Sequence, residues 1–403
     1  MAVTGTFRFH PVGQGLFYSG LINAAPAKRN GVFSFVYDCG STSPRRFLYR
    51  EIDDLKALLP RVRSENVKRL DMLIVSHLHD DHVNGLEYLL NGVKVDTVVM
   101  PYTDSITRLL ARDESLGEEA FLDAFYANPV RWFVSRGVRR ILLVGSPPEG
   151  DYLVIEPNEL RSRQEEDVSI HSCIRKSEWA DETELLYLDN YAPITINQFY
   201  WKFRFGNLEL PKERSYINTV DKFQRDKSVS LNEIFRNKRL TRELIERLRP
   251  LFPEGKAINR TSVVAVHEPI APDGEKTVFH LQNTSWLIGI PEKHIFVDDI
   301  FYYQSKISSR YKKTILTGDI ELMNGDRFPL EKDMQQEFAV FQYPHHGARE
   351  AIPKRYLTEN MIKVFSAGIA NRYGHPDSGV LWENDNFLIV NERNAFDYSI
   401  FIV

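Results

Sequence analysis

Cysteine is scarce in this chain: Cys39 and Cys173 are the only two in 403 residues. Two cysteines cannot build a disulfide framework, which excludes the small stapled secreted class and fits a reducing compartment. Long apolar runs are missing too. A membrane span needs about 18–20 consecutive apolar residues, whereas the stretches here are broken within about ten, so no membrane partner is expected. Met1 to His10 has neither a basic n-region nor an apolar h-region, so no secretory leader is expected and the location expected is cytoplasmic. An excess of charge is also lacking: 51 basic and 55 acidic residues leave a net charge of −4. A nucleic-acid partner would therefore need a local basic patch. Internal repeats and low-complexity segments are absent as well. What remains is 43% hydrophobic, 12% aromatic and 26% charged, the profile of a globular chain with a sizeable core.

Hydrophobic spacing predicts the element order. Phe7–Phe9, Leu16–Ile22 and Val32–Tyr37 read as strands punctuated by Gly13-Gln14-Gly15 and Asp38-Cys39-Gly40. Leu48, Ile52, Leu55 and Leu58-Leu59 recur at helical spacing, and Leu70–Val75 is a short apolar run of buried-strand type. A helix from Gly85 to Leu90 and a strand over Val93–Met100 follow. Strand and helix in alternation predict an α/β fold. Ser115–Ser135 reads as helical, Arg140–Val144 as a strand, and Ser230–Leu251 as an amphipathic helical stretch. Strands resume from Thr261, including Thr277–Leu281, Trp286–Ile290, Thr314–Leu316, Phe338–Tyr343, Val364–Ala367, Phe387–Val390 and Tyr398–Val403. Between residues 101 and 257 the charge is uneven. Asp151–Asn190 carries four Lys/Arg against eleven Asp/Glu, and Lys202–Arg260 carries fifteen against eight.

The densest chemistry lies in Val75-Ser76-His77-Leu78-His79-Asp80-Asp81-His82. Three histidines and Asp81, after a buried strand and before a helix, concentrate nitrogen and oxygen donors suited to Zn²⁺ or Mn²⁺. His77 and His79, two apart, can grip one cation, and Asp81 and His82 a second.

These residues resemble the metallo-β-lactamase fold superfamily, whose signature is His-x-His-x-Asp-His after a strand. The resemblance implies an αββα sandwich and two divalent metal ions. It implies Asp319, in Thr314-Ile-Leu-Thr-Gly-Asp319, as the bridging ligand, and His375, in Asn371-Arg-Tyr-Gly-His-Pro376, as the last histidine. A closer similarity is to the hydrolase domain of bacterial DNA-uptake competence channels and its stand-alone relatives. It is carried by Pro11-Val-Gly-Gln-Gly15, Tyr37-Asp-Cys-Gly-Ser41, Asn259-Arg-Thr-Ser-Val-Val264, Tyr343-Pro-His-His-Gly347 and Asn371–Pro376. Leu16 and Ala348 depart from that branch, which usually has an acidic residue and a serine there. The resemblance covers about 1–100 and 258–380. One hydrolase domain is thus expected, with core 1–100 and 258–403 and a large mixed insertion, 101–257, as lid, substrate surface or protein-partner surface. The superfamily's Gly-His-Thr-like turn is missing. His171 and His267 are weak substitutes for its histidine, and His345 or His346 the better one. With His345 as ligand, His346 is left to donate to a phosphoryl oxygen or leaving group; alternatively the pair lies behind the ligands.

The activity implied is hydrolysis by a metal-bridging hydroxide that Asp81 orients. A nuclease or phosphodiesterase is the first expectation. Arg372 and Tyr373 are the candidate substrate-binding residues, and Trp201-Lys-Phe-Arg-Phe205 is either a base-stacking surface or a half-buried strand. The alternatives are a hydrolase of a small ester, lactone or cyclic nucleotide, and a catalytic subunit of a multi-protein assembly such as a defence complex.

Overall fold

In the computed structural model, described residues are 2–402 except 26–30, 64–65, 116–119, 146–153, 156–167, 171–173, 177–182, 209–213, 252–256, 273, 282–311, 323–324, 335–337, 350, 357–361 and 385–386. The fold is mixed α/β with two sheets. The strands in chain order are β1 (Ala2–Phe9), β2 (Phe17–Ala25), β3 (Val32–Cys39), β4 (Arg69–Ile74), β5 (Lys94–Pro101), β6 (Arg140–Val144), β7 (Val154–Ile155), β8 (Val168–Ile170), β9 (Ile174–Lys176), β10 (Glu184–Leu188), β11 (Pro193–Ile196), β12 (Trp201–Gly206), β13 (Val264–Pro269), β14 (Thr277–Leu281), β15 (Thr314–Leu316), β16 (Val340–Gln342), β17 (Ile362–Ser366), β18 (Phe387–Val390) and β19 (Phe396–Ile402). The first sheet runs β14-β19-β1-β2-β3-β4-β5-β6-β10-β9-β7, and the second β18-β17-β16-β15-β13-β12-β11-β8.

One apolar core lies between the sheets. Phe7 and Phe35 of the first meet Trp201 and Phe203 of the second, with ring centroids 5.5 Å apart for Phe7–Trp201 and 5.0 Å for Phe35–Phe203. A second core joins the first sheet to helices α1 (Arg45–Arg63), α2 (Asp80–Val83), α3 (Leu86–Leu90), α4 (Ser105–Glu114), α5 (Ala120–Ala127) and α6 (Pro129–Val134). Helices α7 (Arg214–Lys227), α8 (Leu231–Arg236) and α9 (Lys238–Leu248) add Phe223, Ile234, Phe235, Leu244 and Leu248 to it. Helix α1 buries Leu48, Ile52, Leu55 and Leu59 of the predicted stripe, while Leu58 is exposed.

Three expectations are refined. Ser115–Ser135 is helical in two pieces, α5 and α6. Pro129 lacks an N–H for a continuing helix, while the Asn128 side chain accepts the Arg131 N–H at 2.9 Å and opens a new one. The Ser230–Leu251 stretch breaks likewise at Asn237, whose side chain caps α9 through the Arg239 and Leu240 amides. Most consequentially, 101–257 supplies β6 to β12, so it extends both sheets: β6 pairs in parallel with β5, and β12 pairs antiparallel with β13. The strand expected at Trp286–Ile290 lies outside the described residues.

The topology gathers the chemistry at one end. The histidine motif follows β4, Asp38 sits near the end of β3, and Asp319, His345-His346 and His375 follow β15, β16 and β17. Strands β3–β4–β5 and β15–β16–β17 are each parallel, so these loops leave carboxyl ends of strands, where α/β sheets bind ligands. The Tyr37 hydroxyl donates to the Val263 carbonyl at 2.7 Å and the Val263 amide to the Ser76 carbonyl at 2.8 Å, tying the two sheets together there.

Candidate metal centre

The turn after β4 is held from behind by backbone. Gly40 packs so closely that a Cβ there would lie 2.5 Å from Asp81 C and His82 N, and one on Gly15 would meet the Asp81 carbonyl at 2.7 Å. The Leu16 amide donates to that same carbonyl. The Gly-Gln-Gly hairpin and the Asp-Cys-Gly break therefore form a cradle that only glycine permits.

Four histidine rings are each aimed by a group on the outer edge. Asp38, fully buried, accepts the Ser76 amide and hydroxyl at 2.6 Å each and the His82 Nδ1–H at 2.7 Å. With its proton given to Asp38, the Ser76 hydroxyl accepts from His77 Nδ1 at 2.9 Å. The Ser366 carbonyl accepts the His346 Nδ1–H at 2.6 Å, and the Glu114 carboxylate accepts the His79 Nε2–H at 2.9 Å. Each ring thereby turns its remaining nitrogen inward, the orientation of a metal-binding imidazole, and in the metal-free chain His346 Nε2–H donates to Asp81 Oδ2 at 3.0 Å.

The inward atoms form two groups. His77, His79 and Asp319 are one; Asp81, His82, Asp319 and His346 are the other, and within each group the donor atoms lie within 4.8 Å of one another. Asp319 belongs to both. His77 Nε2 and His79 Nδ1 stand 3.1 Å apart, and His82 Nε2 faces Asp319 Oδ1 at 3.1 Å. His82 Nε2 and Asp319 Oδ1 are buried and have only each other for a polar partner, with no good hydrogen bond between them. Nitrogen and oxygen donors converging on shared buried space fit divalent cations of the N/O-binding kind.

The electrostatics agree. Asp319 is buried, which opposes its charge, yet His346 and His82 hold its carboxyl well below the usual range. Burial likewise opposes charge on His82 and His346, but Asp319 leads the groups that lift them, His82 well above an ordinary histidine and His346 to about 10. Protons on these rings balance carboxylates that cations would otherwise neutralise, so metal uptake releases protons.

The remaining candidates divide. His346, not His345, joins Asp81, His82 and Asp319. Its neighbour turns away because His345 and His346 both take left-handed backbone (φ 49° and 54°), and His345 Nδ1 meets Glu321 Oε1 at 2.9 Å. His375 belongs to neither group. Its ring lies 5.3 Å from that of His345 and 6.3 Å from that of His346, and its Nδ1 has no hydrogen-bond partner. Burial and then His346 and His345 pull its pKa down to about 4. Arg372 is exposed on the same loop, and Tyr373, 58% exposed, lies 5.9 Å from the His375 ring at 28°. His267 is remote: it is buried in the inter-sheet core, bonded to Tyr18 and Trp201. His171 lies outside the described residues.

Asp38, Ser76 and Glu114 stand behind the rings, although the sequence alone assigns them no role. Asp38 carried a signal, a charged residue ending an otherwise apolar strand. Glu114 carried none, because its partner lies 35 residues away on another element.

Residues 29–157 match the family model described as metallo-beta-lactamase superfamily. The matched segment contains the whole histidine motif and runs on through β5 and β6, beyond residue 100. This supports the superfamily, whose members are mostly metal-dependent hydrolases. No curated protein matches the chain.

Proposed function

We propose that this protein is a two-cation phosphodiesterase, most simply a nuclease, built as an αββα metallo-β-lactamase sandwich related to the competence-channel hydrolase branch. The observation that carries the reading is the pair of donor groups sharing Asp319. Divalent cations in such a pair, Zn²⁺ or Mn²⁺ by donor type, supply a water-derived nucleophile at neutral pH and draw charge from the attacked centre. The chain's own residues do the rest. Asp81 is held below the ordinary carboxylate range, burial notwithstanding, by His82 and His346, so it orients water rather than takes its proton. His345 is fixed by Glu321 and Asn259 and only partly exposed, at the edge of the donor groups. From there it donates to a phosphoryl oxygen, with Arg372 and Tyr373 beside it to meet phosphate and base. His375 lines this rim.

The test is metal analysis of the purified chain, followed by incubation with single- and double-stranded DNA, RNA and bis-p-nitrophenyl phosphate. Metal-dependent cleavage is expected, and Asp319→Ala should lower it by about a hundred-fold or more, since both donor groups lose a member. Bound metal without cleavage of any phosphodiester would instead favour a small ester or lactone.

A further inference from the structure

We propose that Glu114 is a positioning residue for the cation held by His77, His79 and Asp319, so that the end of α4 sets the occupancy of that site and not of its neighbour. The inference rests on the two-cation reading above. Three of the four outer groups that aim the rings belong to the buried core: Ser76, Asp38 and the Ser366 carbonyl. Glu114 is the exception. Its side chain is 43% exposed, it stands at the last residue of α4, and among the described residues its one polar partner is His79.

A carboxylate in the last turn is unfavourable to a helix, because the helix dipole places partial negative charge there. Its position is therefore not explained by α4 itself. The next residue shows what holds it in place. The Ser115 hydroxyl donates to Asp80 Oδ1 at 2.7 Å and the Tyr126 hydroxyl to the same oxygen at 3.0 Å, so α4 and α5 grip the residue that follows His79. This clamp sets Glu114 opposite His79 Nε2. The proton then stays on Nε2, and the Nδ1 lone pair faces His77 and Asp319. Neither Asp81, His82 nor His346 contacts Glu114, so its influence is confined to one donor group.

The experiment is titration of the metal-free full-length chain with Co²⁺, followed by calorimetry and by the visible absorption of bound Co²⁺. Wild type is expected to take up two ions. Glu114→Ala should weaken one binding constant by about 10–100-fold and leave the other unchanged, with altered absorption for the affected site only. Glu114→Gln keeps an oxygen acceptor without its charge and should fall between the two, since a charge-assisted bond is about twice as strong as a neutral one. Thermal unfolding of the metal-free variants should match wild type, because the side chain buries little. Both constants within two-fold of wild type, or both falling together, would overturn the inference. Wild type that takes up fewer than two ions overturns the two-cation reading first, and this inference with it.

Discussion

Each ring at the metal centre depends on an acceptor behind it, and Asp38 is the acceptor whose loss reaches furthest. It holds His82 directly and His77 through Ser76, so it touches both donor groups. Its backbone is left-handed (φ 56°), a conformation that asparagine tolerates and alanine does not. Asp38→Asn is therefore the clean substitution: it keeps the shape and removes the charge. It should weaken metal binding at both sites by about ten-fold or more, in contrast to the one-site effect of Glu114. In the metal-free chain it should cost about 1–3 kcal/mol, because buried donors lose a carboxylate. Co²⁺ titration and denaturant unfolding measure the two separately. Retained affinity at both sites would show that the turn's backbone alone aims these rings. Most inner donors were legible in the sequence because four of them, His77, His79, Asp81 and His82, fall within six residues. The outer acceptors were less so: Asp38 is marked only as a lone charge near the end of an apolar strand, and Glu114, brought in from α4, leaves no local pattern.

At the scale of elements, Trp201-Lys-Phe-Arg-Phe205 shows how one pattern serves two readings. Alternating rings and cations are what a base-stacking ribbon requires, and also what a half-buried strand produces. The structure selects the second. Trp201, Phe203 and Phe205 are buried in the inter-sheet core, while Lys202 and Arg204 meet Glu268 at 3.1 and 2.8 Å and Arg204 also pairs with Asp333. The cations on β12 are thus already paired, in a cluster that Lys313 joins. For the nuclease proposed above, Lys202→Ala should leave nucleic-acid affinity and its salt dependence unchanged, whereas Arg372→Ala should lower the affinity and the salt slope by about one unit. Filter binding across a salt series distinguishes them, and a reduced slope for Lys202→Ala would restore β12 as a binding surface. The breaks at Asn128-Pro129 and Asn237 were written in the sequence as caps, but apolar spacing on both sides of each ran in phase and masked them. The strands outside 101–257 were legible as short apolar runs, whereas β7 to β11 within it were not read at all. The membership of 101–257 in both sheets was not legible. Strand pairing between residues as distant as Phe203 and His267 depends on the tertiary fold, and the irregular charge of that segment suggested separateness instead.

For the whole molecule, the inter-sheet core makes stability depend on pH through a histidine remote from the metal centre. His267 is fully buried between the sheets. Trp201 Nε1–H faces its Nδ1 at 3.4 Å, and its Nε2–H donates to the Tyr18 hydroxyl at 2.8 Å, which in turn meets Tyr398. Both ring nitrogens are thus used by the neutral form. Burial pulls the pKa down to about 3, against about 6.5 in an unfolded chain. Between those values the unfolded state binds a proton that the folded state refuses, so stability falls as pH drops from about 6.5 towards 3 and is unaffected above that window. One such proton steepens the decline by about 1.4 kcal/mol per pH unit. His267→Gln offers the same acceptor and donor without titrating, and should flatten the dependence by about one proton. Urea unfolding between pH 7 and pH 4, in the presence of a chelator so that the metal ligands titrate alike in both proteins, gives the two slopes. Because β12 comes from 101–257 and β1, β2 and β13 from either side of it, this histidine sits where all parts of the chain meet. Its protonation should therefore unfold the protein in one cooperative transition rather than release 101–257 alone. A biphasic acid transition, with the metal-ligand region protected through the first phase, would mean that the segment folds separately after all.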